Sequence, residues 1–289
     1  MNAAQASVSP LSVTTGDAPL LHVRHVQKFF GGNRAVDGVS FSLARGEVLA
    51  LIGPNGAGKS TTFNLLNGQL TPDAGEVWLD GQNITGLSPS ELAQRGVGRT
   101  FQTAQTFASF SVLENLQIAL LAADGLATRI GWRARHHRVD DAMQGLSQVG
   151  LQDQAHRPCT ELSYADLKRL EIALALATTT RNRQAQLLLM DEPTAGMAAT
   201  ERIALMTLVR QLVREQQLAV LLTEHSMDVV FGFADRVLVM VRGRVLAQGT
   251  PDEVRRNALV QAHYLGHEAH TPTTFSPPSF MRIEPEEGT

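Results

Sequence analysis

Cysteine is almost absent from this chain. Cys159 is the single cysteine among 289 residues, so an internal disulfide is excluded. Because small oxidised domains usually depend on several disulfides, this count favours a reducing compartment. Long hydrophobic runs are missing as well. The longest candidates, such as Leu187–Met190 and Leu218–Leu222, fall far short of the ~20 apolar residues that a membrane-spanning helix needs.

The chain also has little net charge. Its formal net charge is −3 and only 18% of its residues are charged, which disfavours a general nucleic-acid binder and a highly charged disordered chain. Hydrophobic residues make up 43%, enough for a sizeable core. Residues 1–19 contain no Lys or Arg and no long apolar stretch, so we expect a mobile leader and not a signal peptide. Residues 267–289 have a similar composition and are expected to be a disordered tail.

Between these ends, short apolar runs alternate with helical patterns, which predicts an α/β fold. The continuous apolar run Val48–Ile52 is typical of a strand buried on both faces. The dipeptides Asp80-Gly81 and Arg242-Gly243 each follow a short strand pattern and predict tight hairpins. Helix starts are indicated by hydroxyl caps with Glu three residues later, at Ser88, Ser111 and Thr250.

A glycine-rich segment after the strand at Val48–Ile52 matches the pattern G-x-x-x-x-G-K-[ST]. Its backbone N–H groups can surround phosphate oxygens, and the helix predicted over 61–70 adds its positive N-terminal end. Lys59 is suited to contact the β- and γ-phosphates, and the hydroxyl of Ser60 is suited to bind Mg²⁺. The expected nucleotide-binding residues here are Gly53, Pro54, Asn55, Gly56, Ala57, Gly58, Lys59, Ser60 and Thr61.

A second strand pattern, Leu187–Met190, ends in two adjacent carboxylates. Asp191 at the strand end is a candidate for holding Mg²⁺, and Glu192 beside it is a candidate for the base that activates the attacking water. Adjacent carboxylates repel each other unless a cation lies near them. Together with the phosphate loop, this pair predicts a nucleoside triphosphatase.

Five segments in this order resemble the nucleotide-binding domain of ABC transporters. They are 53–61, Arg99-Thr-Phe-Gln102, Leu162-Ser-Tyr-Ala-Asp166, 187–192 and Thr223-Glu-His225. The resemblance covers about residues 20–266. It implies a P-loop α/β core with an antiparallel β subdomain, formed by residues 20–102 and 171–266, and an inserted helical subdomain at 103–170.

The resemblance also implies roles for single residues. Gln102 would reach Mg²⁺ and the attacking water, and His225 would contact the γ-phosphate and hold Glu192. These two, with Glu192 and Lys59, are the expected catalytic residues; Ser60, Gln102 and Asp191 are the expected Mg²⁺ ligands. Phe30 would stack on adenine, although core packing of this ring and stacking by Phe29 stay open.

The segment Leu162–Asp166 corresponds to the family signature Leu-Ser-Gly-Gly-Gln, which binds ATP held by a second subunit. Ser163 keeps the hydroxyl and Ala165 lies at the second glycine position, so both are expected to contact nucleotide. The periodicity of residues 166–177 predicts a helix that begins at Asp166. Ala165 adds a Cβ where backbone must approach phosphate, and Asp166 adds a negative charge. Both replacements bear on the strength of ATP binding across the dimer.

Further segments, among them Leu170-Glu-Ile-Ala and Ala262-His-Tyr-Leu-Gly266, look like the ATPase subunits of branched-chain amino-acid importers. The resemblance implies ATP and Mg²⁺ as cofactors, a second identical or different ATPase subunit, integral membrane permeases, a periplasmic or extracellular binding protein, and no nucleic acid. It places the chain at the cytoplasmic face of the plasma membrane. Two other interpretations stay open: a soluble ABC-type ATPase of DNA repair or translation, and a weakly active ATP-binding scaffold.

Overall fold

The computed structural model describes residues 18–100, 106–124, 138–179 and 187–264. Gln102, most of the expected leader and the expected tail lie outside these residues. The described chain contains ten strands, β1 to β10 in chain order: Leu21–Phe30, Asn33–Leu43, Val48–Ile52, Ala74–Leu79, Gln82–Asn83, Val97–Arg99, Leu187–Asp191, Ala219–Thr223, Arg236–Val241 and Arg244–Gly249.

Nine α-helices are present in the described ranges, and none of them has the length and hydropathy of a membrane span. They are α1 to α9 in chain order: Lys59–Leu66, Pro89–Gln94, Val112–Ala123, Val139–Gln148, Tyr164–Thr179, Ala199–Gln216, Met227–Phe233, Pro251–Arg256 and Ala258–His263. The capping boxes expected at Ser88, Ser111 and Thr250 are all formed, which confirms these three helix starts.

The strands form two sheets. A six-stranded sheet has the order β10-β9-β3-β8-β7-β6, with parallel pairing from β9 to β6 and an antiparallel edge strand, β10. A four-stranded antiparallel sheet has the order β2-β1-β4-β5. The two predicted hairpins are confirmed: Asp80, Gly81, Arg242 and Gly243 all have positive φ, as two-residue turns of this kind require.

Strand β3 shows why its sequence is continuously apolar. Val48, Ala50 and Ile52 belong to a core shared with helices on one face of the six-stranded sheet. Leu49 and Leu51 point to the other face and join a second core with the four-stranded sheet. Since both faces are covered, polar residues are excluded from either side, and the strand predicted at Val48–Ile52 is confirmed.

Some element bounds differ from those expected. The helix expected over 61–70 begins at Lys59 and ends at Leu66, because Gly58 and Gly68 adopt left-handed φ on either side of it. The helix expected to begin at Asp166 begins two residues earlier, at Tyr164. Strand β6 is too short for a periodic pattern and was not expected. It pairs with β7 at the edge of the parallel sheet.

Candidate nucleotide site

The phosphate loop connects the central strand β3 directly to helix α1. Gly58 precedes the helix with φ of 100°, and a Cβ on it would lie 2.3 Å from the carbonyl oxygen of Ala35. A side chain at this position would therefore be strained and would clash with the backbone of β2. Asn55 and Gly56 at the tip of the loop and Ser60 in the first turn of α1 are exposed, while Pro54 and Thr61 are half-buried.

Lys59 lies beneath this loop. Its side chain is buried, and its Nζ donates hydrogen bonds to the carbonyl oxygens of Gly53, at 2.6 Å, and Pro54, at 3.3 Å. Burial lowers the pKa of Lys59, while the charges of Glu192 and Asp191 act in the opposite direction. The loop carbonyls and the two carboxylates thus compensate in part for the desolvation of the ammonium group.

The two carboxylates at the end of β7 have different surroundings. Asp191 Oδ1 accepts a hydrogen bond of 2.6 Å from the hydroxyl of Thr223, and its Oδ2 lies 4.0 Å from Nη2 of Arg99. Glu192 Oε1 lies 2.9 Å from Nε2 of His225. The structure therefore brings the Glu192 carboxylate and His225 together, as the resemblance implies, whereas the Asp191 carboxylate contacts Thr223 and Arg99.

The backbone at Glu192 has an uncommon conformation. Its φ is 48°, in the left-handed region that costs a residue with a Cβ ~1 kcal/mol or more. The N–H of Glu192 bonds to both the carbonyl and the hydroxyl oxygen of Thr223, each at 3.1 Å. These bonds hold the strained turn, which directs the carboxylate toward His225.

Thr223, Glu224 and Arg99 are site residues whose contacts the sequence did not predict. Thr223 is the register partner of Asp191 in the parallel pair of β7 and β8. Glu224 is buried and accepts hydrogen bonds from the N–H and hydroxyl of Thr194, at 2.9 and 2.6 Å. Knowledge of the strand order would have revealed Thr223, because it follows from the pairing of the two strands.

The signature-like segment begins helix α5. Ser163 Oγ accepts from the N–H of Asp166 at 3.1 Å, and its hydroxyl donates to Asp166 Oδ2 at 2.8 Å. Within the described residues, Ser163 thus makes its hydrogen bonds with the first turn of α5, which it directly precedes. Ala165 is half-buried in the first turn, and the hydroxyl of Tyr164 donates to the carbonyl of Ala195 at 3.1 Å, in the segment that follows Glu192.

Two phenylalanines lie at the end of β1, next to the β1–β2 turn. Phe30 is 48% exposed, with Nζ of Lys28 at 5.8 Å from its ring centroid. Phe29 is half-buried, with Cζ of Arg34 at 5.6 Å from its ring centroid. The alternative that Phe30 packs in the core is thus wrong, because this residue is exposed. Stacking of Phe30 or Phe29 on adenine stays a prediction.

A buried parallel strand, a glycine-rich phosphate loop with its lysine, and a second strand ending in adjacent carboxylates together define a P-loop ATPase. The family comparison agrees, because the ABC transporter model matches residues 36–195. The chain belongs to the ABC transporter family. A second model, described as a branched-chain amino acid ATP-binding cassette transporter, matches residues 244–270.

The matches to individual relatives extend over nearly the whole length of those proteins. The chain is 39% identical over 255 residues to the high-affinity branched-chain amino acid transport ATP-binding protein LivG of Salmonella typhimurium, which covers 86% of this chain and 98% of that protein. Among solved structures, the ADP conformation of the ABC-transporter cassette MJ1267 has a TM-score of 0.77 and 32% identity, covering 86% of this chain and 100% of that chain. The cassette MJ0796, described as a dimeric post-hydrolysis state bound to ADP and Pi, has a TM-score of 0.65 and 25% identity, covering 80% of this chain and 98% of that chain.

Proposed function

We propose that this chain is the ATP-hydrolysing subunit of an importer for branched-chain amino acids or related small amides and acids. The observation that carries the proposal is the match of residues 244–270 to the branched-chain amino acid transporter model, which lies outside the general ABC transporter match at 36–195. The LivG relative supports it over almost its entire length. The small net charge gives no support to the alternative of an ATPase for DNA repair or translation.

In this proposal, residues 53–61 surround the nucleotide phosphates and Lys59 contacts the β- and γ-phosphates. The oxygen donors near them suit Mg²⁺, which prefers carboxylate, hydroxyl and amide oxygens. Ser60 has an exposed hydroxyl and Asp191 a partly exposed carboxylate oriented by Thr223, and Gln102 is the third expected ligand. When bound, Mg²⁺ would neutralise charge that develops on the phosphates.

Hydrolysis requires a proton acceptor beside the γ-phosphate. Glu192 is proposed to accept a proton from the attacking water while the water oxygen bonds to the γ-phosphorus and the bond to ADP breaks. His225, 2.9 Å from Glu192, would hold the carboxylate in place and contact the γ-phosphate. Gln102 would orient the water. Because burial in a closed site strengthens these interactions, closure of the site would precede the chemical step.

Closure is proposed to come from a second ATPase subunit. The solved cassette described as dimeric supports this arrangement. Ser163 and Ala165 of one subunit would contact the ATP held by the other. The Ser163 hydroxyl donates to the carboxylate of Asp166, so it would have to leave this acceptor to donate to a γ-phosphate. The Asp166 carboxylate would then lie close to the negatively charged phosphate.

Replacing Ala165 with glycine tests this dimer contact. Ala165→Gly removes the Cβ at the position where phosphate approaches helix α5, so ATP-dependent dimerisation should strengthen about threefold to tenfold. Sedimentation of the Glu192→Gln background with and without Mg·ATP measures the dimer fraction. Ala204→Gly, in the second turn of helix α6, is the control for a helix weakened by glycine. An equal dimer fraction with and without the Ala165→Gly change would contradict the proposed contact between Ala165 and the ATP of the other subunit.

Membrane partners follow from the proposed transport function. Permease subunits would supply the pore, a periplasmic or extracellular binding protein would deliver the solute, and this chain would lie at the cytoplasmic face of the plasma membrane. ATP binding and hydrolysis would then alternate the permease between two accessible states.

Reconstituted uptake tests the whole proposal. The chain, co-expressed with its permease subunits and placed in liposomes with their binding protein, should drive ATP-dependent uptake of labelled leucine. Vesicles with the Glu192→Gln variant and vesicles offered labelled lysine provide the controls. Uptake of a different class of solute would contradict the proposed substrate. A complex formed only with DNA or ribosomes would contradict the proposed function.

A further inference from the structure

The turn between β9 and β10 lies directly behind the phosphate loop. The N–H of Gly243 donates to the carbonyl of Ala57 in that loop, at 2.9 Å. The carbonyl of Gly243 in turn accepts from the N–H of Asp37 in β2, at 2.8 Å. One residue of the turn thus connects the phosphate loop to the strand pair that carries Phe29 and Phe30.

The approach between this turn and β2 is too close for a side chain. Gly243 is buried with φ of 78°, and a Cβ on it would lie 2.8 Å from the carbonyl oxygen of Arg34 and 3.0 Å from that of Ala35. Both neighbours are backbone atoms of β2, so neither can move without shifting the strand. The backbone of β2 is therefore packed against the turn on one side of the phosphate loop.

An ion pair also joins β2 to the residue that follows this turn. Nε and Nη2 of Arg244 lie 2.8 and 2.7 Å from Oδ2 of Asp37, whose side chain is only 11% exposed. Nη1 of Arg34 lies 3.5 Å from Oδ1 of Asp37, and the same guanidinium lies over the ring of Phe29. The hydrogen bond from Arg244 is the main cause that lowers the pKa of Asp37, so the carboxylate stays charged near neutral pH.

We propose that Gly243 and the Arg244–Asp37 pair, together called the turn clamp, position the base-binding end of the nucleotide site relative to its phosphate-binding end. The clamp sets the distance and angle between the phosphate loop and the end of β1. It touches no reacting group, so its members are positioning residues. The inference rests on the proposed role of Phe30 or Phe29 in stacking on adenine.

The turn clamp should affect the affinities of two kinds of ligand differently. ATP must contact both ends of the site at once, so its affinity depends on how well the clamp holds them in register. Inorganic tripolyphosphate contacts only the phosphate loop, so its affinity does not depend on β1. A residue that merely stabilises the fold would alter both affinities alike.

Arg244→Gln removes the charge that pairs with Asp37 while keeping a side chain of similar polarity. The Kd for Mg·ATP, measured by calorimetry on the full chain, should rise about threefold to tenfold. The Kd for Mg·tripolyphosphate, measured by displacement of a fluorescent nucleotide, should change by less than about twofold. The matched control is Arg45→Gln, which removes an Arg–Asp pair of 2.7 Å with Asp80, away from the turn; both its affinities should equal those of the unchanged chain.

A double-mutant cycle tests the pair itself. Asp37→Asn should raise the Kd for ATP in the same way, and the double variant Asp37→Asn with Arg244→Gln should bind no worse than either single variant. An unchanged Kd for ATP in Arg244→Gln, or an equal loss for ATP and tripolyphosphate, would overturn the clamp. Failure of the proposed function gives a different result from failure of the clamp, because the unchanged chain would then not bind ATP. Failure of the stacking role would also be seen separately, because Phe30→Ala and Phe29→Ala would both bind ATP normally.

Discussion

The variant Glu192→Gln should bind ATP with unchanged affinity and hydrolyse it about 10²- to 10⁴-fold more slowly. The amide has the shape of the carboxylate and still offers an oxygen to His225, 2.9 Å away, so the site keeps its geometry. An amide cannot accept the proton of the attacking water at neutral pH. Steady-state phosphate release measures turnover, and equilibrium binding of a fluorescent ATP analogue measures affinity.

The matched control for this variant is Glu215→Gln. Glu215 is an exposed carboxylate near the end of helix α6 that accepts a hydrogen bond from Gln211. The neighbouring Gln217 contacts Gly46, just before the start of β3, whereas the phosphate loop follows the end of that strand. Its turnover should equal that of the unchanged chain. If Glu192→Gln hydrolyses ATP within about twofold of the normal rate, the proton acceptor is another group and the assignment of Glu192 is wrong.

The variant Lys59→Met should lose at least ~100-fold in affinity for ATP. Methionine fills the space of the aliphatic stem but removes the only charge that the phosphate loop itself supplies to the phosphates. Truncating one side of a buried charged contact typically costs ~2–5 kcal/mol. Calorimetry with Mg·ATP measures the loss directly.

Lys59→Met should also leave the thermal stability of the nucleotide-free chain unchanged or slightly raised. Burial lowers the pKa of Lys59, which shows that the folded chain without nucleotide disfavours the ammonium form. Removing the buried charge offsets the two lost bonds to loop carbonyls, so unfolding temperature and affinity should move independently. Arg256→Met, on the exposed helix α8, is the control for loss of one positive charge. A large drop in unfolding temperature would mean that Lys59 holds the loop together, and an unchanged Kd would contradict its contact with phosphate.

Much of the fold was predictable because its signals are local. The apolar run of β3, the Asp80-Gly81 and Arg242-Gly243 turns and the capping boxes are each read within a few residues, and each is present in the structure. Strand β6 was missed because three residues carry no period. The bounds of α1 were wrong because two glycines, and not the hydrophobic pattern, set where that helix begins and ends.

The candidate site was predictable to the extent that its residues follow one another in the sequence. The phosphate loop and the Asp191-Glu192 pair are short motifs, and their residues are found where two parallel strands end. The partners of these residues were not predictable. Thr223 reaches Asp191 because β7 and β8 are neighbours in register, and Arg99 reaches it because β6 lies on the other side of β7.

The chemistry that this chain can carry is evident in its sequence: a glycine-rich loop able to surround phosphates, a lysine in that loop, and two carboxylates at the end of an apolar strand. The contacts that hold these parts in place appear only once the chain is folded. The left-handed turn at Glu192 is held by bonds to Thr223, and β2 contacts the β9–β10 turn through Gly243 and the Arg244–Asp37 pair. This difference arises because the motifs are contiguous in the chain, whereas the hydrogen bonds and ion pairs that orient them join residues that strand order brings together.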